Sequence, residues 1–191
     1  MPLPYYARLS RRDKATYRRS DAITTVPLRE PERHAAALEA IETGLAADDR
    51  GAVQRASRRL VADLCEELHG GKLVVRVLAR RPASATEELH GLYEREEGKT
   101  PILRVWMRTA AHKRPVAFRT FVRTLMHELC HHLDYECLQL ADSLHTEGFF
   151  RRESSLVRQL VGPRKPGRRT EPTPPPTPPP ARAQLSLFGR D

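Results

Sequence analysis

An α+β fold is predicted for this chain by three features of its sequence. Helical periodicity dominates residues 31–69 and returns from Val116 onward. Between these stretches lie short runs rich in valine and leucine, bounded by turn residues. Beyond Gly162 the composition becomes basic and then rich in proline. Apolar residues at helical spacing mark helix faces that pack into a core, and short β-branched runs between turn signals mark strands. The predicted order is therefore N-terminal helices, a small sheet of about three strands, one strongly amphipathic helix, a following helix and a tail without a core.

Residues 1–30 read as a basic N-terminal arm. Ser10 followed by Asp13 has the form of a helix N-cap, which residues 15–19 can continue. Tyr5, Tyr6 and Tyr17 are interleaved with Arg8, Arg11, Arg12, Lys14, Arg18 and Arg19. Rings among cations can stack on bases and grip phosphates, but an arm packed by its tyrosines, with solvated charges, is the preferred reading. Pro31 opens a helical pattern through Ala47. Asp48 or Asp49 caps the next helix, which runs to His69 and stops at Gly70-Gly71, with Leu60, Val61, Leu64 and Leu68 as its core positions.

Residues 73–78 predict a strand. Residues 89–95 and 102–107 flank Glu97-Gly98-Lys99-Thr100-Pro101 and predict a hairpin. From Val116 the positions Phe118, Phe121, Val122, Leu125, Leu129 and Leu133 form one apolar stripe, and a last helix runs from about Thr146 to Val161. The expected organisation is a basic arm at 1–30, one domain at 31–161 and a disordered tail at 162–191. Within the tail, residues 171–180 form a stiff, extended, proline-rich linker.

A length of 191 residues suits one domain plus a tail. No apolar run is long enough to span a bilayer, and the N-terminus lacks the apolar core and cleavage site of a secretory signal, so a cytoplasmic location is expected. Cys65, Cys130 and Cys137 give no even disulfide framework. On one helix Cys130 and Cys137 would stand about 10 Å apart, beyond the reach of a disulfide, and reduced thiols suit the cytosol. The formal charge of +9 favours polyanionic partners such as nucleic acid.

The chemistry concentrates at His127-Glu128-Leu129-Cys130-His131. On a helix the two histidines lie one turn apart and project alike, so both imidazoles can bind one zinc ion. Leu125 and Leu129 then face the opposite side, and one helix serves core and metal together. Glu128, about 100° around from His127, is placed to act as general base on a water at the metal. A third protein ligand is needed, and the downstream candidates are Asp134, Asp142, His145, Glu147 and Glu153. Asp134 is positioned to orient a ligand histidine. His145 is preferred as ligand because residues 139–145 can turn the chain back, with Glu147 next and Glu153 possible if the last helix packs across the site. His132 reads as a satisfied buried histidine.

This motif, followed by His145-Thr146-Glu147-Gly148-Phe149, resembles the SprT-like zinc metallopeptidases, whose pattern is a His-Glu-x-x-His helix and then His-x-x-x-aromatic. The resemblance spans residues 60–160. It implies a small zincin-type domain, zinc as cofactor, His127, His131 and His145 as ligands, and Glu128 as catalytic base. The activity it implies is peptide-bond hydrolysis of protein substrates that are associated with DNA or crosslinked to it. The chain departs from the family in lacking the cysteine ribbon of many members and in its N-terminal helical region. An extended substrate is expected to pair with an exposed strand near the site, with residues 102–107 as the candidate.

In the tail, Gln184-Leu185-Ser186-Leu187-Phe188 resembles the short bacterial sliding-clamp-binding motif Gln-Leu-x-Leu-Phe. The resemblance implies Gln184, Leu185, Leu187 and Phe188 as partner-binding residues, with Leu187 and Phe188 filling an apolar pocket on the clamp. A tail that folds back on its own domain is the competing reading. For the whole chain, a clamp-recruited metallopeptidase competes with a zinc-binding regulatory module of little proteolytic activity, and with a peptidase unrelated to DNA. An intact Glu128 favours the enzyme.

Overall fold

The computed structural model describes residues 4–80, 91–108 and 114–162. Among them five α-helices and one three-stranded mixed sheet make an α+β fold. The proline-rich linker and the tail residues Gln184, Leu185, Leu187 and Phe188 lie outside the described residues, as do residues 89 and 90 of the expected hairpin.

Helix α1 (Arg11–Ala22) begins where Ser10 accepts a hydrogen bond from the Asp13 N–H at 3.1 Å. Residues expected in an arm are here docked on the domain. Tyr17 is only 3% exposed and meets Tyr6 edge-on at 4.8 Å, so it is closed to stacking on a base. Pro31 opens a short 3-10 turn (Pro31–His34) that leads into α2 (Ala35–Ala46), where one continuous helical pattern was expected. Asp49 caps α3 (Arg50–Glu67) by accepting from the Ala52 N–H at 3.0 Å. Val53, Leu60, Val61 and Leu64 are buried on α3, which packs against both α2 and the sheet.

The sheet has the order β1-β3-β2, with β1 (Val74–Arg80) parallel to the central β3 (Ile102–Arg108) and β2 (Gly91–Glu94) antiparallel to it. Gly98, at φ +72°, supplies the left-handed position in the β2–β3 turn. Val75, Val77, Leu103, Val105 and Met107 face the core, where they meet α3 and the apolar stripe of α4 (Phe118–Glu136). One expectation is corrected here. Residues 102–107 form the middle strand, paired on both sides, and have no free edge for a substrate.

The outer edge of β1 is closed by side chains. Gln54 imitates a neighbouring strand, its Nε2 donating to Val75 O at 2.9 Å and its Oε1 accepting from the Val77 N–H at 2.7 Å, and Arg58 adds a bond to Val75 O. Unpaired strand edges invite strand addition, and among the described residues the outer edge of β2 is the one that no strand pairs. Strand β2 packs against α4, which brings that edge to the candidate site. No helix among the described residues is long and apolar enough to cross a membrane.

Candidate metal centre

Helix α4 divides its faces between packing and chemistry. Phe121, Val122, Leu125 and Leu129 are buried in the core, and His127 and His131 emerge one turn apart on the other side. After Glu136 the chain turns back through Gln139, whose φ is +49°. It re-enters a helix, α5 (Glu147–Val161), at the N-cap Thr146, which accepts from the Phe149 N–H at 3.0 Å. That cap follows His145 directly and fixes where the third histidine stands.

The three imidazoles converge. Their ligand atoms lie within 4.8 Å of one another, and His145 Nε2 is 3.1 Å from Nε2 of both His127 and His131. Three nitrogens bound to one tetrahedral zinc at about 2.0–2.1 Å would be separated by roughly 3.3–3.4 Å; the two pairs made by His145 lie close to this, and a small closure of the wider spread brings all three donors onto a single ion. The Phe149 ring, fully buried, forms the floor at 5.0 Å from His127, 4.7 Å from His131 and 5.1 Å from His145. Burial, followed by the neighbouring His127 and His145, depresses the His131 pKa to about 3. Burial likewise lowers that of His145. Neutral imidazole is the form that offers a lone pair to a metal.

The other expected residues take different places. Glu128 is 5% exposed beneath strand β2, and burial pushes its pKa up to about 7, opposed by His127 and by a hydrogen bond from the Tyr93 backbone N–H, with Glu153 adding to the rise. Glu153 is not in the ligand cluster. Its Oε2 meets His127 Nδ1 at 3.0 Å, on the ring edge away from the other histidines, and its Oε1 accepts from Arg123 at 2.6 Å. A carboxylate only accepts, so His127 carries its proton on Nδ1 and keeps Nε2 free for a metal. Glu147 is exposed in the first turn of α5 and pairs with Arg151. Asp142 accepts from Tyr135 Oη at 3.1 Å and from the Ser143 N–H at 2.8 Å. Asp134 reaches His131 through Ser143 rather than directly.

His132 is buried and satisfied at both nitrogens, with Nε2 2.7 Å from Gly70 O and Nδ1 3.1 Å from Tyr93 Oη. Since the carbonyl must accept, Nε2 carries the proton and the tyrosine hydroxyl donates to Nδ1. Sequence reasoning missed Gly91, Tyr93, Ser143 and Arg152, which meet the site only through tertiary contacts and carry no local motif. Phe150, the one exposed large hydrophobic residue among those described, stacks on His145 at 5.7 Å. No protein-family model, curated protein or solved structure matches this chain.

Proposed function

We propose that this chain is a SprT-like zinc metallopeptidase that hydrolyses protein substrates. The observation that carries the reading is the convergence of His127, His131 and His145 beside a buried carboxyl group at Glu128. A zinc ion held by these histidines would supply the Lewis acidity that polarises a peptide carbonyl and acidifies water. Glu128 acts as the proton carrier, accepting a proton from the attacking water and delivering it to the leaving amine. A pKa near 7 suits both halves of that task at neutral pH. The Tyr93 backbone N–H and the close approach of Gly91 hold the carboxyl group beneath β2.

An extended peptide adds alongside β2, the edge next to Glu128 that no strand among the described residues pairs, using main-chain hydrogen bonds for affinity. Phe150 offers an apolar wall beside His145 to a substrate side chain. The basic composition and the clamp-like motif of the tail direct this activity to DNA-associated protein. The test is zinc content together with cleavage of a DNA-binding protein, with and without DNA. About one zinc per chain and cleavage of the protein are expected. Zinc binding without hydrolysis of any protein offered would favour a zinc-binding regulatory module instead.

A further inference from the structure

A buried chain of polar groups runs from the metal centre to the N-terminal helix. Arg152 of α5 is 1% exposed, and its guanidinium donates to Asp134 Oδ1 at 2.8 Å, to Ser20 O at 2.6 Å, to Ser20 Oγ at 3.0 Å and to Ile23 O. Asp134 is fully buried, and its Oδ2 accepts from Ser143 Oγ at 2.8 Å. Ser143 Oγ in turn lies 2.7 Å from Nδ1 of His131. Burial pushes the Asp134 carboxyl up, and Arg152 and the Ser143 hydrogen bond hold it down. A guanidinium does not deprotonate in a protein, and once buried it requires a countercharge, which Asp134 supplies as the carboxylate.

The proton count then leaves one arrangement. An ionised carboxylate only accepts, so the single hydroxyl proton of Ser143 points to Asp134. Toward His131 the same oxygen can only accept, which requires the proton of that ring to sit on Nδ1. Its Nε2, the atom facing His145, is left with a bare lone pair. We infer that Arg152, Asp134 and Ser143 are positioning residues that hold His131 in the one tautomer able to ligate a metal through Nε2.

The N-terminal helix is built into this relay. Arg152 takes its remaining acceptors from the C-terminal turn of α1, Arg19 donates to Leu138 O at 2.8 Å, and Asp21 accepts from the Gly148 N–H at 2.9 Å. Gly148 permits the approach, since a Cβ there would lie 2.6 Å from Ser20 O. Thus α1 grips both ends of the loop that carries Ser143 and His145. The helical N-terminal region, which set this chain apart from the family it resembles, becomes part of the support of the metal centre.

This role rests on the three-histidine reading of the site, so the test separates the two. Nitrogen-15 NMR of the metal-free protein reports the His131 tautomer with no metal needed, and zinc titration against a competing chelator reports affinity. In the parent, His131 is expected protonated at Nδ1. Ser143→Ala should abolish that preference and weaken zinc by about 10- to 100-fold, the usual cost of removing a group that orients a ligand. Ser143→Thr, which returns the hydroxyl, should restore both. A parent that binds no zinc but shows the Nδ1 tautomer would overturn the metal reading and leave the relay standing. An unchanged tautomer and affinity in Ser143→Ala, or equal losses in the Ala and Thr variants, would overturn the relay.

Discussion

Gly91 and Glu128 share one small space. A Cβ built on the glycine would lie 2.6 Å from Cγ and 2.8 Å from Cδ of the glutamate, inside any tolerable contact. The missing side chain of an edge strand thus lets the proposed base sit directly beneath the place where a peptide would lie. Gly91→Ala should push the carboxyl group aside. Since a shift of about 1 Å in a reacting group can cost roughly 100-fold, peptide hydrolysis should fall on that scale while zinc content stays at the parent level. Equal turnover by the variant would mean that the position of Glu128 is unimportant.

The ligand set predicts an order of zinc loss. His145→Ala removes a donor and should abolish tight zinc binding. Glu153→Ala removes the acceptor on His127 Nδ1, together with the partner of Arg123, and should weaken zinc by about 10- to 100-fold. Glu147→Ala, at an exposed position outside the cluster, should leave affinity unchanged. Chelator competition on the three variants checks the order, and tight zinc in His145→Ala would remove that histidine from the set.

Arg152 and Asp134 are nearly or fully excluded from solvent, so truncating one strands a buried charge. Arg152→Ala should destabilise the fold by about 3–5 kcal/mol, the usual cost of breaking a buried pair from one side. The midpoint of urea unfolding reports it. A change below about 1 kcal/mol would mean that the pair is solvated and that α1 is held by other contacts.

The tail makes a separable prediction. A peptide of residues 180–191 should bind a bacterial sliding clamp with a micromolar dissociation constant, about −8 kcal/mol, because ordering the segment offsets part of its contact energy. Changing Leu187 and Phe188 to Ala should abolish this binding and leave zinc content untouched. No saturable binding by the parent peptide would return the motif to chance.

The parts of the site that the sequence made legible are those set by local geometry. The pair His127 and His131 follows from helical spacing, and the caps at Ser10 and Asp49 follow from side chains that accept from a backbone three residues on. What escaped depends on contacts between segments distant in the chain. Strand order is one case: the run 102–107 looked like an edge because its parallel partnership with β1 leaves no trace in its own residues. Asp134 is another. It lies on the face expected from its spacing, but the loop folds Ser143 between it and His131. Arg152, which charge alone would assign to the surface, is buried because α1 and Asp134 together supply acceptors to both of its terminal nitrogens.

In the proposed reaction Glu128 carries the proton, and the three histidines hold the metal that supports hydrolysis. The zinc-loaded parent and Glu128→Gln are to be compared on the same protein substrate, with zinc content measured in both. Equal zinc, an intact fold, and cleavage by the parent alone are expected. Cleavage by the glutamine variant at the parent rate would contradict this role of Glu128.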